Sequence, residues 1–99
     1  MKAVLVISDR DNVATALQAL QPGQVVEIGT ATVTVTEAIA PGHKIALRAI
    51  AIGEPVIKYG SPIGLASSDI APGAHVHVHN VASTRGRGDL SPAAVSREE

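Results

Sequence analysis

The histidines near residue 77 are the side chains in this sequence best suited to do chemistry. Three of the four histidines lie in one run, His75-Val76-His77-Val78-His79-Asn80. On an extended strand these histidines share one face, while the valines between them point to the core. Neighbouring histidines on such a face lie roughly 6.5–7 Å apart, so two imidazoles can reach one metal ion. We expect at most two ligands from this run and predict His77 and His79.

The same imidazoles titrate near neutral pH. His75, His77 and His79 are therefore also candidate catalytic acids or bases. Imidazole suits zinc, iron, nickel and copper alike, so the run does not specify the ion. The alternative interpretation is a solvated strand face that carries histidine without a chemical role.

Other polar side chains could complete such a site. Lys58 is a candidate for binding a carboxylate, Tyr59 for donating a proton, and His43 and Asn80 for contacting a substrate. Tyr59 could equally serve only in packing. Because side chains alternate along a strand, Lys58 and Tyr59 are expected to face opposite ways. Arg48 could also bind a carboxylate, but we interpret it as a solvated surface charge.

The composition excludes several classes of function. A chain of 99 residues has room for one domain. The absence of cysteine excludes disulfides and thiolate metal sites. A net charge of −1 and a single aromatic residue, Tyr59, argue against a nucleic-acid partner. No apolar run is long enough for a signal peptide or a membrane span, so we expect a cytoplasmic protein without a membrane partner.

Short strands are expected to position these side chains, because valine and isoleucine are abundant. Apolar or alternating stretches predict strands at 3–7, 25–28, 32–36, 45–47, 55–58 and 75–79. One segment instead has helical spacing, with Val13, Ala16, Leu17 and Leu20 on one face. Asp9 or Asp11 could cap this helix, and Pro22-Gly23 would end it. We therefore predict a mostly β domain with one short helix.

A seven-residue pattern, aliphatic–x–x–Gly–x–x–aliphatic, occurs four times. Its glycines are Gly23, Gly42, Gly53 and Gly73, and proline precedes three of them. Proline suits the second position of a type II turn, and glycine suits the third, where φ is positive. Each copy is therefore predicted to turn the chain into a new strand.

The C-terminal end has a different composition. Residues 83–99 are polar and contain few residues suited to a core. We predict one domain over residues 1–82, followed by a flexible tail over residues 83–99.

Several short pieces together resemble a known family. They are Gly42-His43-Lys44, Gly53-Glu54-Pro55-Val56, Lys58-Tyr59-Gly60, Ile63-Gly64 and the histidine run. In this order they resemble the SAF domain of the altronate and galactarate dehydratase family, which includes the small subunit of sulfolactate sulfo-lyase. The likeness extends over residues 9–81 and implies a β-clip fold.

The resemblance also implies a function. It implies the small subunit of a metal-dependent, iron(II)-dependent lyase that acts on a sugar acid or a sulfo acid. The histidine strand would complete an active site shared with a large catalytic subunit. Two alternatives remain, a non-catalytic β-clip module that binds carbohydrate or a partner, and a small metal-binding protein. The histidine run favours the lyase over a pure binding module, which has no need of three imidazoles on one face.

Overall fold

Short antiparallel strands make up the fold. The computed structural model describes residues 3–83. In this part of the chain the strands are β1 (Val4–Leu5), β2 (Val13–Ala16), β3 (Val25–Ile28), β4 (Ala31–Thr34), β5 (Lys44–Ala46), β6 (Pro55–Lys58), β7 (Ser61–Ala66), β8 (His75–Val76) and β9 (Val81–Ala82). They form a four-stranded sheet β1-β2-β5-β8, a hairpin β3-β4 and a three-stranded sheet β6-β7-β9. The prediction of a mostly β domain is confirmed.

The structure describes little of the predicted C-terminal tail. The predicted tail, residues 83–99, lies outside the described residues apart from Ser83. Residues 3–83 contain no helix that could cross a bilayer.

The predicted helix is wrong. Its first residues form β2 instead, in the middle of the four-stranded sheet between β1 and β5. Val13, Ala14 and Ala16 are all buried there, whereas Leu17 is 51% exposed. A helix would bury one stripe of residues, but a central strand buries consecutive residues on both faces. Pairing with two neighbouring strands therefore overrides the helical spacing, because intrinsic propensity is weaker than tertiary packing.

The four repeated patterns form tight turns, as predicted. Gly23, Gly42, Gly53 and Gly73 all have φ between 84° and 89°. In each copy the residue after glycine donates its N–H to the carbonyl oxygen three residues earlier, over 2.9–3.1 Å. This is the geometry in which glycine at the third turn position avoids the strain that a side chain would impose.

Each turn is also clamped to another strand by a reciprocal pair of backbone hydrogen bonds. The Gly42 N–H donates to the Ala16 carbonyl oxygen, and the Ala16 N–H donates back to the His43 oxygen, both over 2.8 Å. Val35, Ala46 and Ala66 clamp the other three turns in the same way. These four clamping residues are buried, and each precedes the first aliphatic residue of a repeat by four positions. The true repeat is therefore eleven residues long, four longer than the sequence pattern.

The repeats build the core in two halves. The first two copies bury Leu20, Val26, Ile39 and Ile45 in one cluster, where Leu20 and Ile39 form an isolated antiparallel bridge. The last two copies do the same in a second cluster, with Ile50 bridged to Ile70. The two clusters together consist of alanine, valine, leucine and isoleucine side chains. β2 and β5 each contribute residues to both clusters, and the candidate site lies at the N-terminal end of β5.

Asp11 and Asn12 join the two halves instead of capping a helix. The Asp11 carboxylate accepts hydrogen bonds from the N–H groups of Gly60 (2.7 Å) and Ser8 (3.2 Å). The Asn12 side chain accepts from the Ile57 N–H (2.7 Å) and donates to the Pro55 oxygen (2.9 Å). Both residues are buried. They therefore hold the β6–β7 hairpin against the start of β2.

We predict that Asp11→Asn destabilises the fold at neutral pH and much less in acid. Burial opposes the charged carboxylate, but hydrogen bonds from the backbone N–H groups of Gly60 and Ser8 outweigh it and lower the pKa of Asp11. A lowered pKa stabilises the folded state above the ordinary carboxyl pKa, and that stabilisation is lost as the pH falls through the lowered value. Asparagine keeps one acceptor oxygen, so the expected loss at pH 7 is about 1–3 kcal/mol.

Urea denaturation at pH 7 and at pH 2.5 would measure this difference. The control is Asp9→Asn, which removes the same charge from an exposed position and is expected to change the stability by less than about 0.5 kcal/mol. A destabilisation by Asp11→Asn that is equally large at both pH values would contradict a role for the ionised carboxylate.

Candidate metal centre

The register between β5 and β8 brings His43 to the histidine run. Lys44 pairs with Val76 and Ile45 with His75. Continuing this antiparallel register by one residue places His43 opposite His77, and directly opposed side chains on one face of a sheet make contact. His43 directly follows Gly42, so the clamped turn fixes the backbone position of His43. Two repeats therefore meet to form the site.

The four histidine rings form one cluster. The ring centroids of His43 and His77 lie 3.8 Å apart with nearly parallel planes. His75 stacks on both, at 5.1 Å from His43 and 5.6 Å from His77. The Nδ1 atom of His43 and the Nε2 atom of His75 are 2.8 Å apart, a hydrogen-bonding distance. His79 lies at the side, with its ring 5.0 Å from that of His75.

The predicted strand 75–79 is wrong beyond Val76. β8 ends there, and the chain enters a turn in which the Asn80 N–H donates to the His77 oxygen over 3.1 Å. Val76 is buried as predicted, but Val78 lies at the tip of the turn and is 81% exposed. The histidines therefore converge through a turn and a neighbouring strand, and they do not form a flat face of one strand.

Asn80 explains why the strand stops. Its side-chain oxygen accepts a hydrogen bond from the His77 N–H (2.9 Å), and its amide donates to the His75 oxygen (2.8 Å). Asparagine side chains commonly compete with strand pairing for backbone groups in this way. Both polar groups of the buried Asn80 side chain are thus engaged with the backbone that carries the histidines. The predicted contact of Asn80 with substrate would use its second amide N–H or the second lone pair of its oxygen.

The surroundings of His75 and His77 favour the neutral form of these two imidazoles. Burial and the neighbouring His79 and His43 lower the pKa of His75, and only Glu37, which accepts the His75 backbone N–H over 3.1 Å, opposes this. Burial, followed by His43 and Lys44, lowers the pKa of His77. A lowered pKa keeps an imidazole neutral at pH 7, and the neutral form is the one that binds metals.

Three of the histidines have the arrangement of a metal-ligand set. Among residues 3–83, His43, His75 and His77 form the group whose ligand atoms all lie within 4.8 Å of one another. A tetrahedral zinc-like ion with bonds of roughly 2.0–2.1 Å holds its nitrogens roughly 3.4 Å apart. The nearly parallel rings would therefore have to rotate for their nitrogens to converge on such an ion. The Nδ1 atom of His77 is buried and has no hydrogen-bond partner in this part of the chain. An orphaned buried nitrogen beside two other imidazoles fits a metal ion.

His43 enters this group in place of the predicted ligand His79. The sequence suggested His43 only as a substrate contact, because residues 32 positions away from His75 show no proximity without the strand pairing. The signal that could have found it is the repeat itself, which places one histidine directly after the Gly42 turn and another two residues after the Gly73 turn.

Lys44 also lies beside the cluster, although no sequence pattern indicated it. It is half-buried and lines a pocket of about 200 Å³ beside His77. The other residues lining this pocket are Ile63, Val78, Val81 and Ser83. Burial, together with the positive charge of Lys58, lowers the pKa of Lys44. The pocket thus combines apolar walls with a cation and an imidazole.

Lys58 and Tyr59 form a separate pair. The Lys58 ammonium lies 4.8 Å above the centre of the Tyr59 ring. The expectation that they face opposite ways is wrong, because Tyr59 lies in the β6–β7 turn with φ 56° and has left the strand. Among residues 3–83, neither forms a hydrogen bond or ring contact with a histidine. Arg48 is exposed, in accord with a surface charge.

The fold and the site define a class: a small all-strand domain whose repeated turns bring three histidines together in one cluster. The sequence pattern of the altronate/galactarate dehydratase SAF domain matches residues 2–84. The chain belongs to this family, and the all-strand structure fits the β-clip fold expected for it.

Individual relatives agree with this assignment. The chain is 56% identical to altronate dehydratase from Escherichia coli (strain K12) over 70 residues, which are 71% of the chain and 14% of that enzyme. It is 44% identical to altronate dehydratase from Bacillus subtilis (strain 168) over 80 residues, 81% of the chain and 16% of the enzyme. It is 51% identical to (2R)-sulfolactate sulfo-lyase subunit alpha from Chromohalobacter salexigens over 51 residues, 52% of the chain and 54% of that subunit. The chain therefore matches a small part of the two dehydratases and about half of the sulfo-lyase subunit.

Proposed function

We propose that this chain is the metal-binding part of a lyase that eliminates water, or sulfite, from a hydroxy acid. The observation that carries the proposal is the buried, unpartnered Nδ1 atom of His77 beside His43 and His75. The names of the relatives, altronate dehydratase and sulfolactate sulfo-lyase subunit alpha, supply the class of reaction. The family resemblance supplies iron(II) as the ion, which three imidazoles can bind.

The elimination needs three groups that this chain could help to provide. A base removes a proton from the carbon next to the carboxylate, and an acid protonates the departing hydroxyl group so that water leaves. A bound divalent ion would stabilise, as a Lewis acid, the negative charge that develops on the carboxylate oxygens. In this proposal His43, His75 and His77 hold the ion.

The remaining predicted residues have roles outside the ligand set. His79 is exposed and adjacent to His75, which suits an imidazole that carries a proton between solvent and substrate. The Tyr59 hydroxyl is the second candidate proton donor, on the 48% exposed side chain of the β6–β7 turn. Lys58 holds positive charge next to it.

A large catalytic chain completes the site in this proposal. The cluster is open to solvent, and an elimination that forms a charged intermediate needs a site that excludes water. The pocket beside His77, about 200 Å³, is smaller than the roughly 300–1,000 Å³ of sites that enclose a drug-sized ligand. A partner of the same family would cover the cluster and supply most of the contacts that choose the substrate.

Activity measurements with and without that partner test the proposal. We expect no turnover of altronate, galactarate or (2R)-sulfolactate by this chain alone, and turnover of one of them after co-expression with a large catalytic chain of the family, with iron(II) under anaerobic conditions. A large chain that is fully active without this chain would contradict the proposal and favour a non-catalytic binding module. Tight complex formation without any effect on turnover would contradict it as well.

A further inference from the structure

Lys44 is held rigidly at the edge of the histidine cluster. It lies in β5, paired with Thr15 of β2 on one side and with Val76 of β8 on the other. Its chain neighbour is His43, and Val76 lies between His75 and His77. A side chain that starts from the middle of a sheet is placed more accurately than one on a loop. The pairing therefore fixes the backbone of Lys44, and its side chain lines the pocket beside His77.

The charge of Lys44 has no acidic partner in the described part of the chain. Lys44 forms no ion pair within residues 3–83, and the charged group that acts on it most is another cation, Lys58. Glu37, a carboxylate beside the cluster, accepts a hydrogen bond from the His75 backbone N–H. A half-buried cation without a counter-charge is unfavourable. The arrangement would be stabilised by an anionic group in the pocket.

The pocket has the properties of a carboxylate site for a small acid. Lys44 and His77 are on its wall, and Ile63, Val78 and Val81 surround them with apolar surface. Apolar walls lower the local dielectric and strengthen the attraction between an ammonium and a carboxylate. Lys58, the carboxylate ligand expected from the sequence, instead places its ammonium on the Tyr59 ring.

We propose that Lys44 binds the carboxylate of the hydroxy acid in this pocket, next to the three-histidine cluster. This assignment rests on the proposed function for the class of ligand, and it adds the residue and the pocket that recognise the acid group. The neighbouring hydroxyl groups of the acid would then face His77. Lys44 is thus a specificity-determining residue that requires a carboxylate and rejects the corresponding neutral polyol.

A matched pair of probes tests this. D-Gluconate and D-sorbitol differ in having a carboxylate or a CH₂OH group at one end. Each would be titrated into the ¹⁵N-labelled 99-residue chain, both metal-free and with one equivalent of Zn²⁺, while amide chemical shifts are recorded. We expect gluconate to shift the amides of Lys44, His77 and Val78, and sorbitol to leave them unchanged.

Variants separate Lys44 from general charge effects. Lys44→Met keeps an unbranched side chain one atom shorter and removes its charge, and we expect it to weaken gluconate binding by about tenfold or more. Lys44→Arg is expected to restore most of the affinity. The control Arg48→Met removes the same charge from an exposed position and is expected to leave the affinity within about twofold.

The outcomes distinguish this proposal from the proposed function. Gluconate binding in neither metal state, or equal binding by the native chain and Lys44→Met, would overturn the role of Lys44. Zinc affinity, measured in the same samples by calorimetry, reports on the histidine cluster independently. Zinc binding that persists in Lys44→Met together with lost gluconate binding is the expected result.

Discussion

Replacing His77 with alanine is expected to remove most of the metal affinity of this chain. His77 contributes the buried nitrogen that has no other partner, and it stacks on His43 at 3.8 Å. Loss of an orienting residue outside the ligand set commonly lowers metal affinity 10–100-fold, so loss of a ligand is expected to lower it by more than about 100-fold. His43→Ala and His75→Ala are expected to have effects of the same size. Calorimetric titration with Zn²⁺ or Co²⁺ measures the affinity.

His79→Ala is the matched control in this experiment. It removes the same imidazole from a position that is exposed and outside the three-histidine group, so the affinity is expected to change by less than about threefold, a difference under 1 kcal/mol. If the pair predicted from the sequence, His77 and His79, held the ion, the alanine variants would lose metal affinity in a different order. Strong loss in His79→Ala with little loss in His43→Ala would support that pair and refute the set His43, His75 and His77.

Turnover in the complex with a large catalytic chain is expected to follow the metal affinities. His77→Ala is expected to lose activity even when the complex forms normally, whereas His79→Ala keeps the metal and loses activity only through a slower proton transfer. Full activity of His77→Ala with normal metal content would show that the cluster has no part in the reaction.

Gly73→Ala is expected to have the largest effect on stability. A Cβ atom at Gly73 would overlap the backbone oxygen of Thr34, the last residue of β4, and would also approach the Thr36 side chain. The Gly73 backbone cannot move away easily, because its N–H donates to the Ala46 oxygen (2.8 Å) and its oxygen accepts the Thr36 N–H (3.0 Å). With the added strain of φ 84°, we expect a loss of more than about 4 kcal/mol. A domain of this size has few kcal/mol in reserve.

Gly23→Ala separates the clash from the strain. Gly23 has nearly the same φ, 89°, in an equivalent turn, but a Cβ atom there would meet nothing within 4 Å. Only the left-handed backbone is then penalised, at about 1–2 kcal/mol. Thermal unfolding followed by circular dichroism is expected to show Tm lowered by roughly 5–15 °C for Gly23→Ala, with a much larger loss for Gly73→Ala. Equal losses would mean that the Gly73 turn does not press on β4.

Gly73 also links stability to the site. Its turn leads directly into β8, which carries His75, and the clamp to Ala46 holds that turn against β5. A variant that displaces the turn is therefore expected to disturb the opposition of His43 and His77 before the whole domain unfolds.

Local sequence patterns predicted the features of this protein that depend on short-range chemistry. β3 and β6 lie at the predicted residues, 25–28 and 55–58, since their aliphatic composition and the flanking glycines leave no competing structure. The four glycine turns were predictable because the third position of each turn has a positive φ, which suits glycine. The family could also be recognised from the sequence, because its matching pieces lie close together in the chain.

Long-range contacts explain what these patterns missed. The segment after Asp11-Asn12 has helical spacing, yet it is a strand, because β1 and β5 pair with it on both sides. β7 was not predicted, since Pro62 and Gly64 normally disfavour a strand. Gly64 is needed there, as a Cβ atom would lie 2.7 Å from the Ala82 oxygen of the neighbouring β9.

The sequence by itself determined the strand-rich class, the four turns and the presence of clustered imidazoles, because each depends on residues within a few positions of one another. Only the tertiary structure decided which imidazoles meet. The pairing of β5 with β8 set His43 against His77, and the Asn80 side chain bent the histidine run out of its strand. The first is a contact between two backbones and the second a contact between a side chain and the backbone, and the alternation of side chains reveals neither. Together they bring His43, His75 and His77 into one group.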